Sequence, residues 1–336
     1  MHSDSPIAAV EGCPVCGGDG EVRELWQADD SRAALKRLFG DRSADALQLP
    51  DYRLCVCRSC TLGYSSPMIP GDAGFYTWLT AQRAYYNESR WEWTRVGELV
   101  AEHFKAARGV TLADLGCGSG QFLKMLPQGN DCRLIGIDSS PRSVAAGRSA
   151  GLDIHLGDWQ LLRDLCPGGL DYVTGFHCLE HLSEPVAFVR NCAELLGPDG
   201  RLFVSTPLYP SSTEEGWQDP LNAPPHHLTR WNVKATQALA DAADCEVRIH
   251  LPPAAGVFSR TLRVYRFALS TPFAALGVSR RRRILYSMIG ALARPWTALK
   301  LLATQVARER IDHQVAPDVI LMEFTRRIKP ETATSS

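Results

Sequence analysis

An α/β fold follows from three features of the chain: a strand that runs into a glycine-rich turn, further short apolar runs separated by helical stretches, and carboxylates at the ends of those runs. Residues 110–122 read Val-Thr-Leu-Ala-Asp-Leu-Gly-Cys-Gly-Ser-Gly-Gln-Phe, so an apolar run ends at Asp114 and Gly116, Gly118 and Gly120 follow on alternate positions. A buried strand feeding a glycine turn and a helix N-terminus lets backbone approach a nucleotide-like ligand. Glycine tolerates positive φ and has no Cβ to hold the ligand away. The spacing differs from the dinucleotide fingerprint G-x-G-x-x-G: the third glycine comes one residue early, and Gln121 fills the next slot.

The other elements follow in order. Leu134 to Asp138 is a second predicted strand ending in a carboxylate, 18 residues after Gly120. A carboxylate there can accept hydrogen bonds from both hydroxyls of a ribose, which suits a nicotinamide enzyme equally well. The stretch Leu152 to Trp159 supplies a third strand with Asp158 just beyond it, and Leu170 to Phe176 a fourth that runs into His177-Cys178-Leu179-Glu180-His181. A helix is predicted from Pro185 to Leu196, stopped by Gly197-Pro198-Asp199-Gly200. Arg201 to Ser205 is the fifth strand, and residues 318–327 are the last.

This ordered set resembles class I S-adenosylmethionine (AdoMet) methyltransferases, over about residues 92–250 and again at 318–327. The resemblance implies a Rossmann-like core of seven strands and AdoMet as cofactor. It also implies cofactor contacts from Asp114, Gly116, Cys117, Gly118, Gly120 and Phe122 of the first motif, Asp138 and Ser139 after the second strand, Asp158 and Trp159 after the third, and His177 after the fourth.

With 45% hydrophobic residues in 336, the chain can build a substantial core with attachments. The polar start gives no signal-peptide pattern, and single cysteines inside predicted elements (Cys132, Cys178, Cys192) suit a reducing cytoplasm. The remaining cysteines are patterned. Cys13-x-x-Cys16 and Cys57-x-x-Cys60 are two knuckles separated by 40 residues, and two such knuckles can present four thiolates to one structural zinc ion. A redox pair and uncoordinated thiols are the alternatives, and Cys55 competes with Cys57 as a ligand. A helix is predicted near 28–40 between the knuckles.

A zinc knuckle followed by an aromatic segment, Phe75 to Trp93, resembles the layout of bacterial zinc-ribbon methyltransferases of sugar and glycan-assembly clusters. The division expected is a zinc-ribbon-like module (1–70), an aromatic linker with lid helices (71–108), the AdoMet-binding core (109–254), a basic helical insertion (255–315), the last core strand (316–330) and a disordered tail (331–336). Sugar C-methyltransferases of that kind carry a further C-terminal domain for which this chain has no room. Tyr85 and Tyr86 stand either in a lid over the cofactor or as cement between module and core. Residues 255–313 hold eleven Lys and Arg against Glu309 and Asp312, a net charge of +9. Its apolar runs fall short of the ~18–20 residues needed to span a bilayer. Arg260, Arg263 and Arg266 fall on one helical face, and the segment is read as a solvated helical cap, with peripheral membrane or lipid-linked substrate contact and an anionic-substrate patch as alternatives. Nucleic acid is not expected, because the rest of the chain is acidic and no base-stacking module is present.

Methyl transfer from a sulfonium needs an acceptor held in line and its proton removed, work that histidine suits at neutral pH. His226 and His227, in Pro224-Pro225-His226-His227-Leu228-Thr229-Arg230-Trp231, are the leading candidates for base or substrate contact. This run resembles the substrate-side loop of the same methyltransferases. His181, expected to begin the next helix, is the third candidate, with anchoring of that turn as its structural alternative, and Glu180 and Glu214 are weaker ones. A histidine base predicts a rate that rises with pH through one ionisation in the histidine range. The function expected is methyl transfer to a hydroxyl of a sugar, glycan precursor or related small molecule in the cytoplasm. A sugar C-methyltransferase, a non-catalytic AdoMet- and zinc-binding protein and a nicotinamide oxidoreductase are the alternatives.

Overall fold

The computed structural model describes residues 10–82, 90–127, 132–211, 220–253, 256–261 and 317–327, with a few more between 295 and 306. Tyr85, Tyr86, Glu214, residues 331–336 and nearly all of the basic segment lie outside the described residues.

The chain begins with an antiparallel sheet of β1 (Gly20–Trp26), β2 (Tyr52–Cys57) and β3 (Gly63–Ser66). Between β1 and β2 lies α1 (Ala28–Phe39), at the place expected. Asp29 and Asp30 in its first turn and Lys36 and Arg37 in its last complement the helix dipole. Gly40, at φ +68°, closes it in the left-handed conformation. Leu35 and Phe39, four residues apart, face Phe75 and Leu79 of α2 (Ala73–Thr80), which Asp72 caps by accepting from the Phe75 N–H. The fourth strand of this sheet, β9 (Thr229–Arg230), comes from the far side of the sequence.

The larger sheet has seven strands in the order β10–β11–β8–β7–β4–β5–β6. Their ranges are β4 (Thr111–Leu115), β5 (Arg133–Asp138), β6 (Asp153–Leu156), β7 (Leu170–Phe176), β8 (Leu196–Pro207), β10 (Cys245–His250) and β11 (Val319–Arg326). The run from β6 to β8 is parallel, whereas β11 pairs antiparallel with both β8 and β10. This is the Rossmann-like seven-stranded sheet expected. Parallel strands buried on both faces need continuous apolar runs, and Leu112, Ala113, Ile135 and Val173 are fully buried. On the flanks lie α3 (Trp91–Ala106), α4 (Gln121–Met125), α5 (Pro141–Ser149), α6 (Leu161–Leu165), α7 (Pro185–Glu194) and α8 (Val233–Ala242). No helix among the described residues is long and apolar enough to cross a membrane.

Three local expectations are corrected. Residues 197–200 do not precede the fifth strand but interrupt it: Leu196 pairs with Leu170, and after a shift in register Arg201 pairs with Tyr172. A Cβ on Gly200 would lie 2.7 Å from the Leu170 carbonyl oxygen, so the glycine marks a close backbone approach inside a strand. His181 does not begin a helix; it closes a 3₁₀ turn over Leu179–His181, before α7 starts. Arg260, placed on a basic helical face by its spacing, is buried at 1% exposure.

Candidate active site

The glycine turn after β4 has the geometry its sequence requires. Gly116, Gly118 and Gly120 have φ of +67°, +56° and +78°, a region costly for residues with a Cβ. One carboxylate holds the turn and a second lies buried at the end of β4. Asp138, at the end of β5, accepts from the Gly118 N–H through Oδ2 and from the Ser140 N–H through Oδ1, both at 2.8 Å. Asp114 is buried and accepts from the Thr174 hydroxyl at 2.7 Å. Burial pushes the Asp114 carboxyl up to about 7; the Thr174 hydrogen bond opposes this and the nearby Asp138 adds to it. Burial also raises Asp138, against the pull of its two backbone N–H groups.

A cleft of about 350 Å³ opens at the C-terminal ends of these strands, within the size range of ligand pockets. Asp114, Gly116, Cys117, Gly118 and Phe122 line it together with His177, Glu180, His181, His226 and His227. The lining fits AdoMet with an open glycine cradle, the buried Asp114 at the end of β4 and Phe122 for apolar contact, while the half-buried Asp138 ties the turn from outside the lining. Gly120 sits one step back, where a Cβ would meet Leu152 at 2.3 Å. Ser139, Asp158 and Trp159 stand beyond the ends of β5 and β6 and do not line this cleft; Asp158 accepts from the Gln160 N–H at 2.9 Å. Asp138 ties the loop as well as any ligand, so Asp138→Ala frees the N–H groups of Gly118 and Ser140. Loss of such hydrogen bonds, at about 1–3 kcal/mol, predicts an AdoMet affinity lower by about tenfold or more in calorimetry. Wild-type affinity in the variant would refute the assignment of this cradle.

The histidines form one connected group. His177 has a φ of +53° and is gripped between two buried carboxylates: Nε2 lies 2.8 Å from Glu92 Oε1 and Nδ1 3.2 Å from Glu180 Oε1. Burial pushes His177 down, but hydrogen bonds to Glu180 and Glu92 outweigh it and raise its pKa. Burial would raise Glu92, but His177 holds it below the ordinary carboxylate range. The ring centroids of His181, His226 and His227 are 4.4, 4.9 and 4.7 Å apart, pair by pair. His181 donates from Nδ1 to the His226 carbonyl, and His227 donates from Nδ1 to Asn222 Oδ1 at 2.9 Å. These bonds fix both rings as Nδ1–H tautomers, leaving each Nε2 as an acceptor. Burial, followed by the neighbouring imidazoles, pushes His226 and His227 well below the ordinary histidine range.

Sequence reasoning missed Glu92 and Asn222. Glu92 precedes the α3 residues Trp93, Val96 and Val100, whose spacing announces a buried stripe, and nothing local singles out the acid beside it.

The knuckles converge as expected. The sulfurs of Cys13, Cys16, Cys57 and Cys60 all lie within 4.8 Å of one another, with Cys13–Cys60 and Cys16–Cys57 each at 3.5 Å. Tetrahedral zinc with Zn–S bonds of 2.3 Å sets sulfurs about 3.8 Å apart, so this donor set fits a zinc ion. Cys55 is not part of it; burial raises its thiol, and it faces the Arg53 carbonyl.

Comparison with known proteins agrees with this geometry. Residues 87–249 match the family model described as a methyltransferase domain. A ubiquinone biosynthesis O-methyltransferase of Xanthomonas euvesicatoria pv. vesicatoria is 36% identical over 115 residues, which cover 32% of this chain and 47% of that protein. The protein of the same name from Xylella fastidiosa is 36% identical over 104 residues, 29% of this chain and 42% of the relative. The chain thus spans less than half the length of these curated relatives. A SAM-dependent methyltransferase structure from Archaeoglobus fulgidus aligns with a TM-score of 0.46 at 15% identity, covering 75% of this chain and 100% of the other. The glycine cradle and the histidine-lined cleft thus fall within the part of the chain, residues 87–249, that is similar to a methyltransferase domain.

Proposed function

We propose that the protein transfers a methyl group from AdoMet to a hydroxyl of a small molecule, and that His181, His226 and His227 meet the acceptor. One observation carries this reading: the glycine cradle and these three histidines line the same cleft. AdoMet supplies the reactive methyl; the chain binds it, orients the acceptor and takes its proton. His227 is the favoured base. Its Nδ1–H is committed to Asn222, and Nε2 keeps a lone pair next to the cleft. The relatives that share the domain carry O-methyltransferase in their names, which supports a hydroxyl acceptor and does not favour a sugar over other small molecules.

The division of the chain belongs to the same proposal, with one change. Because β9 joins the N-terminal sheet, Thr229 and Arg230 belong structurally to the zinc module although they lie in the core segment. A cytoplasmic reaction remains part of the proposal, with residues 255–313 as a solvated helical cap and contact with a lipid-linked or anionic acceptor as the alternative.

His227→Ala is expected to lower methyl transfer by about 100-fold or more while AdoMet affinity is kept. Since burial holds His227 neutral well below pH 6.5, the wild-type rate should be flat across neutral pH, in place of the rise through the histidine range that the sequence suggests. A His227→Ala enzyme with full activity on hydroxyl acceptors would refute the assignment. If wild-type protein shows no transfer across sugar, phenol and amine acceptors although AdoMet binds, the catalytic reading falls.

A further inference from the structure

We propose that His181, His226 and His227 form a second metal site, taking a divalent transition-metal ion in the acceptor half of the cleft and separate from the four-cysteine site. The inference rests on the methyltransferase reading and changes one part of it: with its Nε2 on an ion, His227 would act on the acceptor oxygen through that ion and not as the free base.

Three observations point to this. One ring nitrogen from each histidine can be chosen so that all three lie within 4.8 Å of one another. Nitrogens on a common ion at about 2.1 Å are separated by at most about 4.2 Å, so small side-chain rotations close the site. Two of the rings already have the outer partners that metal-binding imidazoles use. His181 donates Nδ1–H to the His226 carbonyl, and His227 donates Nδ1–H to Asn222 Oδ1, so each Nε2 lone pair is fixed in place.

The third observation is Glu180. Its side chain is 1% exposed, and beyond the contact with His177 neither carboxylate oxygen has a hydrogen-bond partner among the described residues. Its nearest positively polarised neighbour is His177 Nδ1, 3.2 Å from Oε1. The same oxygen lies 3.8 Å from His227 Nε2. With the His227 proton on Nδ1, two lone pairs therefore face each other in a buried site. Such an arrangement costs free energy unless a cation or a proton sits between them. An ion on the histidines supplies that charge, and Glu180 offsets it from one side.

Three imidazoles and a nearby carboxylate select zinc-class ions over magnesium or calcium, which prefer all-oxygen cages. Because the histidines line the cleft, the remaining coordination position faces the acceptor, whose hydroxyl oxygen is the class of ligand that would fill it.

The full-length protein, stripped of metal and titrated with cobalt(II), tests this. Wild-type protein should take up two equivalents. One should show thiolate-to-cobalt charge-transfer absorption and the other visible bands without it, as nitrogen and oxygen ligands require. His181→Ala and His227→Ala should each take up one equivalent, the thiolate-bound one, and still bind AdoMet, which shows that the core is folded. Uptake of one equivalent by the wild type, or of two by a histidine variant that binds AdoMet, would overturn the site. If a variant fails to bind AdoMet, the wild-type titration decides alone. The two readings fail separately. A histidine-dependent second equivalent in a protein that methylates nothing keeps the metal site and discards methyl transfer. Full transfer by a protein holding only the thiolate-bound ion does the reverse.

Discussion

Replacing Cys13 and Cys16 together by serine is expected to lower methyl transfer by about 100-fold or more while AdoMet still binds. The four cysteines lie far from the glycine cradle in sequence, and zinc held there touches neither cofactor nor acceptor. The effect is carried by the small sheet. The second knuckle connects β2 to β3, and β3 pairs with β9, Gly63 opposite Arg230 and Tyr64 opposite Thr229. The Ser65 N–H donates to the Leu228 carbonyl at 2.8 Å, one residue after His227. Thr61, next to Cys60, accepts at its carbonyl from Asn232 Nδ2 at 2.9 Å, and Asn232 also caps α8. Trp231, fully buried, packs in the same cluster as Cys13, Cys57 and Leu62. The loop bearing His226 and His227 is thus pinned to the four-cysteine module on both sides, at Leu228–Arg230 and at Asn232. Loss of two ligands releases the knuckle, and a displacement of ~1 Å at the histidines is enough for a loss of that size. The cradle is held by Asp138, and Asp114 beside it is bonded to Thr174 inside the large sheet, so AdoMet binding should survive. The checks are zinc content, calorimetry with AdoMet, and the rate of transfer on one preparation. A zinc-free variant with full activity would show that the module does not position the loop.

The parts of this arrangement that were legible in the sequence are the short-range ones. The glycines of 116–120 need only their own backbone conformation, and each C-x-x-C knuckle specifies its turn within four residues. Strand ends were clear where an apolar run met an acid, as at Asp114 and Asp138. The stop signal at 197–200 misled because a glycine kept for close approach to the Leu170 carbonyl looks, locally, like a glycine kept for a turn. What stayed hidden is pairing over long separations. Thr229 and Arg230 are too short a run to show strand periodicity, and their partners lie more than 160 residues earlier. Glu92 and His177, 85 residues apart, become a pair only when α3 packs beside the end of β7. The tautomers of His181 and His227, on which their chemistry depends, are set by the His226 carbonyl and by Asn222. No residue pattern announced either partner.

Asp114→Asn is expected to stabilise the AdoMet-free protein at pH 8 while weakening its hold on the cofactor. Burial raises the folded-state pKa of Asp114 from 3.8 to about 7, so the native chain binds this proton more tightly than the unfolded one. For an acid shifted upward, stability falls as pH rises from about 4 to about 7 and the full penalty persists above that. Three pKa units at 1.36 kcal/mol each put the penalty on the order of 4 kcal/mol. Asparagine carries no charge to desolvate and can still accept from the Thr174 hydroxyl, so the variant should lack this fall in stability. AdoMet reverses the preference. It brings a sulfonium and an ammonium into a cleft that Asp114 lines, and these charges favour the ionised carboxylate. Wild-type affinity should therefore drop about tenfold per pH unit below about 7, because binding must release the Asp114 proton. In Asp114→Asn the affinity should be lower at pH 8 and nearly independent of pH over the same range. Denaturant midpoints and AdoMet titrations at pH 5, 6, 7 and 8, about one unit apart to resolve that slope, measure both effects. If the two proteins show the same pH dependence in both measurements, the titrating group is not Asp114.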